Sequence, residues 1–133
     1  MSKSAIYTAM TTTTPVAANG IIPLGSTIRR FGCNVAQDGN TITITGQGYF
    51  LVNVSATVAP VAIGNVSVTM LKDGVPVTGA TATDSVSTAN NSVALPITAI
   101  VRNACGCDSS ILSFTLGTTG SNVTNFAVDV VKL

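Results

Sequence analysis

Three cysteines and five aspartates are almost the whole supply of side chains that could hold a metal or move a proton near neutral pH, because the 133-residue sequence has no His and no Glu. Nucleophilic catalysis needs a base beside the nucleophile. No Ser or Cys here has an imidazole to use, so the chain is expected not to be an enzyme and to need no cofactor. Cys33, Cys105 and Cys107 could offer three soft thiolates to zinc, but Cys105-Gly106-Cys107 lacks the usual two-residue spacer and the sequence holds no fourth Cys or His. A disulfide from Cys33 to Cys105 or Cys107, formed after release from a reducing cytoplasm, is one alternative. Two buried thiols and one exposed thiol is another. Asp38 and Asp73 each precede a Gly and read as turn formers, and Asp108 follows Cys107 in a loop. Asp129 stands apart, a lone carboxylate on an otherwise apolar strand face, where it must find a donor or be neutralised.

The elements that position these groups read as short strands. In the run from Gly48 to Ala59, Phe50, Val52, Val54, Ala56 and Val58 alternate with Tyr49, Leu51, Asn53, Ser55 and Thr57. Period two makes it a half-buried strand. Val66 to Leu71 is a second strand, and Asp73-Gly74 supplies the positive φ angles of a hairpin turn before Val75 to Thr83 returns. Further strands are expected at Ala5 to Met10, Arg30 to Val35, Thr41 to Thr45, Val93 to Val101, Ser110 to Leu116 and Asn125 to Leu133. Thr11 to Gly20 reads as a connection, and Ile21 to Ile28, interrupted by Pro23 and Gly25, fits a sheet edge. No segment has a 3.6-residue apolar period. Eight to ten short strands argue an all-β, two-sheet antiparallel sandwich of Greek-key or jelly-roll type.

Charge is scarce. Charged residues make up 8% of the chain and hydrophobic ones 46%, against about a quarter charged in ordinary globular proteins. A net charge of +1 with Arg29-Arg30 as its one adjacent basic pair gives no footprint for nucleic acid, and those two arginines read as a solvated strand end. No apolar run reaches the roughly 18 to 20 residues of a membrane span. The N-terminal residues lack the apolar core of a secretory signal, so a cytoplasmic origin is expected. A surface so poor in charge has little electrostatic protection against association, and burial against copies of itself is the natural resolution. The last strand supports this: Phe126, Val128 and Val130 share one face, while Ala127, Val131 and Leu133 surround Asp129 on the other. A strand apolar on both faces is covered on both faces.

The stretch Gly48-Tyr49-Phe50-Leu51-Val52 followed by Val66 to Val77, with its Lys72-Asp73-Gly74 turn, resembles the C1q/TNF-like jelly roll over about residues 22–133. The resemblance implies a ten-strand jelly roll (residues 21–133) that assembles as a homotrimer. Residues 1–20 would form an N-terminal strand and connecting segment, a candidate attachment region. It places Tyr49, Leu51 and Phe126 or its neighbours near the threefold axis, and with Asp129, Val131 and Leu133 these are the candidate trimer contacts. Asp129 then has two readings: a carboxylate cluster on the axis that binds a cation, or a hydrogen bond to a neighbouring strand or an Arg. No collagen-like repeat precedes the domain, and acidic residues are too sparse for the calcium site of some relatives.

The start Ser4-Ala5-Ile6-Tyr7-Thr8-Ala9, the segment from Ile22 to Cys33 and the turn from Asp73 to Ala80 also resemble small virion proteins encoded by phages and prophages of Firmicutes-type bacteria. That resemblance implies a structural subunit on the virion surface, a capsid decoration or head-fibre protein that partners itself, the major capsid protein and host surface glycans. Alternatives are a lectin-like or receptor-binding fibre tip and a bacterial or spore surface protein of the same fold.

Overall fold

Alternating side chains form twelve β-strands among the described residues, and no helix occurs there. The computed structural model describes residues 3–10, 12–105 and 109–133. The strands are β1 (Ala5–Ala9), β2 (Thr14–Val16), β3 (Ser26–Phe31), β4 (Val35–Asp38), β5 (Thr41–Thr45), β6 (Gly48–Pro60), β7 (Gly64–Lys72), β8 (Val75–Val86), β9 (Val93–Ala94), β10 (Ile97–Asn103), β11 (Ser109–Leu116) and β12 (Ser121–Lys132). They build two antiparallel sheets. One runs β10-β6-β12-β1-β3, with β2 paired to β12 and β9 to β6, and the other runs β4-β5-β11-β7-β8.

Burial follows the alternation. Phe50, Val52, Val54, Ala56 and Val58 of β6 and Phe126, Val128 and Val130 of β12 point inward. They meet Ile42 and Ile44 of β5, Val66, Val68 and Met70 of β7, and Leu112, Phe114 and Leu116 of β11. The rings of Phe114 and Phe126 cross between the sheets edge to face, 5.3 Å apart at 68°. Each such fully buried side chain contributes about 1.5–3 kcal/mol through water exclusion. Among the described residues no buried side-chain nitrogen or oxygen lacks a hydrogen-bond partner.

The Asp73-Gly74 turn forms as its residues require, with φ of 54° and 82°, the left-handed pair that a two-residue hairpin of this twist needs. Asp73 also ties the β7–β8 turn to β11, since its Oδ1 accepts from the Ile111 amide at 2.9 Å. Three expected strands change shape. The Arg30 to Val35 run breaks at Gly32, whose φ of 83° no strand can continue, and there the chain leaves the larger sheet for the smaller. The Val93 to Val101 run splits into β9 and β10 at Pro96, which has no N–H for the ladder. Its register against β6 nonetheless carries straight through. The last strand begins at Ser121 rather than Asn125, and a bulge between Val123 and Asn125 keeps Val123 in the core.

Within residues 1–20, β1 lies inside the larger sheet between β12 and β3, and β2 pairs with the start of β12. The entry to β1 is clamped. Buried Ser4 donates its hydroxyl to Asn34 Oδ1 (3.0 Å) and accepts from the Asn34 amide (3.2 Å), and its carbonyl accepts from the Lys132 amide (2.9 Å). A Cβ on Gly32 would collide with the Ser4 side chain and the Lys3 carbonyl, so this close approach also requires glycine.

Candidate assembly interface

The outward face of the larger sheet is set by register. Directly paired residues in an antiparallel ladder project to the same side. Phe31 pairs with Ala5, Ala5 with Val131, Val131 with Leu51, and Leu51 with Ile100. An unbroken apolar row therefore crosses all five strands of the sheet's main path. Ala5, Val131 and Leu51 are half-buried, while Phe31 and Ile100 are 60% and 57% exposed. The neighbouring row is polar: Arg29, Tyr7, Asp129, Asn53 and Thr98 stand in line. On the other side of the apolar row, Leu133 and Arg102 flank Tyr49, with the Leu133 amide donating to the Tyr49 carbonyl at 2.9 Å. The Arg102 guanidinium lies over the Tyr49 ring, 5.8 Å from its centre.

Five of the six residues proposed from sequence as subunit contacts lie on this face: Tyr49, Leu51, Asp129, Val131 and Leu133. Phe126 does not. It is fully buried on the opposite face of β12 against Phe114, so its role is to join the two sheets and it cannot touch a neighbour. Sequence reasoning missed Tyr7, Phe31 and Ile100, which complete the face from β1, β3 and β10. The alternation Arg29-x-Phe31 and Thr98-x-Ile100-x-Arg102 carries their phase, but polar neighbours on the same phase mask it.

Asp129 is half-buried, and its carboxylate makes no hydrogen bond or ion pair among the described residues. It borders a groove of about 270 Å³ between β1, β3 and β12, walled by Tyr7, Arg29, Phe31 and Val131. A second groove of about 310 Å³ runs beside the free edge of β10, where Ile100, Val101 and Arg102 face Lys72 and Val75–Val77 across the gap between the sheets.

Cys33 and Cys105 belong to one end of the sandwich. Cys33 is exposed, and its carbonyl accepts from Thr45 Oγ1 at 3.4 Å. Thr45 is paired in register with Ser109, which closes the connection carrying Cys105. Cys105 is exposed, whereas Cys107 and Asp108 lie outside the described residues. The connection is anchored by a buried polar pair, Ser110 Oγ donating to Asn103 Oδ1 at 3.1 Å. The described residues gather no group of three metal-ligating side chains.

Strand order, sheet pairing and the two-layer core define a C1q/TNF-like jelly roll, and solved structures agree. The chain is similar to murine APRIL (TM-score 0.76, 11% identity, covering 98% of this chain and 99% of that one). It is similar too to the globular domain of zebrafish complement 1qA (0.68, 11%, covering 97% and 95%) and to Eiger TNF from S. frugiperda (0.70, 11%, covering 98% and 91%). At this identity the likeness is one of fold. No family model and no curated protein matches the sequence.

Proposed function

We propose that this chain is a non-enzymatic structural subunit that assembles as a homotrimer through the outward face of its larger sheet. The observation that carries the reading is the apolar row from Phe31 to Ile100, which spans that sheet while its other face already lines the core. A sheet with apolar side chains on both faces gains stability by covering the second. With 8% charged residues, the surface offers little repulsion to oppose it. The C1q/TNF-like fold supports self-association, since a broad sheet face is available for it.

The subunit acts on the surface of a phage virion as a capsid decoration or head-fibre protein. Support for this part comes from the sequence resemblance carried by Ser4 to Ala9, Ile22 to Cys33 and Asp73 to Ala80. Sedimentation velocity tests the assembly: the expected species has three times the 13.4 kDa chain mass, and a monomer at micromolar concentration overturns the reading. Mass spectrometry of purified virions tests the location. The chain is expected in particles, and its presence on cell or spore surfaces but not in virions refutes the virion role.

A further inference from the structure

We propose that the end of the subunit where β6 begins and β12 finishes is its docking base, a cationic surface that seats on an acidic protein surface of the virion shell. This rests on the virion reading above. All six cations of the chain gather at that end. In the larger sheet Arg102 pairs with Tyr49, Lys132 with Phe50, Arg30 with Ile6 and Arg29 with Tyr7. None lies farther along the sheet than the row of Asn53, whereas β6 runs on to Pro60. Lys3 precedes β1 at the same end, and Lys72 of the smaller sheet reaches it by donating to the Arg102 carbonyl at 3.0 Å.

The opposite end is bare of charge. Its four connections, residues 17–20, 61–63, 87–91 and 117–120, hold no charged residue. Backbone hydrogen bonds from Asn19 to Gly117, Val61 to Gly120 and Asn90 to Pro60 mark them as neighbours. Two carboxylates also lie away from the base, Asp84 opposite Val66 and Asp38 at the far turn of the β4–β5 hairpin. Among the described residues only Asp73 and Asp129 remain on the side of the six cations. Asp73 is already engaged by the Ile111 amide.

The base is preformed. Three cations span the seam between the sheets: Arg30 Nε of β3 donates to the Val35 carbonyl of β4 at 2.6 Å, Lys72 of β7 reaches β10, and Lys132 of β12 lies against Gly46 and Gly48 where β5 passes into β6. Their partners are neutral, and no cation pairs with a carboxylate among the described residues. Fixed positive charge left uncancelled is completed by an acidic partner. The whole chain carries only +1, so the attraction orients the subunit: an acidic surface draws this end and not the other. The cations fringe the base, with Arg29 and Arg30 at the β3 margin and Arg102 and Lys72 at the β10 margin, four strands away. That is about 19 Å by ordinary sheet spacing. A nucleic-acid strand is tracked by one continuous charged groove, whereas a fringe of this width suits a broad surface.

Rebinding of the purified full chain to particles of a phage lacking its gene tests this. Wild-type affinity should fall at least about tenfold between about 50 and 500 mM salt. Lys3→Glu with Lys72→Glu should weaken binding at least about tenfold, while Lys3→Arg with Lys72→Arg should bind like the wild type. Lys3→Glu alone, at an exposed side chain with no hydrogen bond among the described residues, should still weaken it at least about threefold without disturbing the fold. Ile63→Ser, at the uncharged end, should change nothing. The docking base is refuted if the charge-reversed variants rebind like the wild type, if Ile63→Ser abolishes binding, or if the wild type does not rebind. It is also refuted if phosphatidylglycerol vesicles or single-stranded DNA hold the wild type more tightly than the particles do, which would make the partner a lipid surface or a nucleic acid. Absence of the chain from wild-type virions instead removes the virion reading, and this contact with it.

Discussion

Phe126 and Asp129 are three residues apart on one strand and do opposite things. Phe126 is fully inside, its ring edge-on to Phe114, and bridges the two sheets at the middle of the core. Asp129 faces out into a groove with apolar walls. Truncating Phe126 therefore leaves a cavity that sheet backbones on both sides cannot collapse to fill. Phe126→Ala is expected to lower stability by about 3–5 kcal/mol, read as a shift of the urea midpoint at constant slope. A loss below about 1 kcal/mol would mean that the ring is not packed between the sheets as described.

Elements explain what a linear reading reaches and what it misses. The β6 strand and the β7–β8 hairpin are legible because residues 49–58 of β6 and 65–71 of β7 keep period two and Asp73-Gly74 fixes the turn. The two-sided nature of β12 is equally local: Ala127, Asp129 and Val131 alternate with Phe126, Val128 and Val130. The row from Phe31 to Ile100 is not local. It exists only because β3, β1, β12, β6 and β10 lie side by side, an order set by long-range pairing that no window of sequence contains. Phe31 hides behind a basic pair and Ile100 between Thr98 and Arg102. Residues 1–20 show the same effect, since a short Thr-rich segment gives no local sign that β1 will be held between two partners. Hydrogen exchange distinguishes an inserted strand from a loose arm. The amides of Ile6 and Thr8 are expected to exchange on the timescale of β12, far slower than those on the free edge of β3. Exchange of Ile6 and Thr8 within the dead time would show that β1 detaches on its own.

For the whole molecule, the decisive quantity is how much association free energy the apolar row on the outward sheet face can supply. Leu51 is the test position because it lies inside the apolar row, on β6 between Val131 and Ile100, with its side chain directed away from the core. Covering a leucine contributes about 1.5–3 kcal/mol, and each 1.4 kcal/mol changes an association constant about tenfold. Replacing it by lysine removes that contribution and adds a like charge near the axis of any ring built on this face. Leu51→Lys is therefore expected to sediment at the 13.4 kDa chain mass under conditions where the wild type is expected at three times that mass. Its circular dichroism should keep the β signature and unfold cooperatively, since no core contact is touched. The melting temperature adds an independent readout. Assembly stabilises the folded state by mass action, so the wild-type midpoint should rise with protein concentration while that of Leu51→Lys stays constant. If Leu51→Lys assembles like the wild type, the face is not the interface, and the apolar row must be covered by something other than a second copy of this chain.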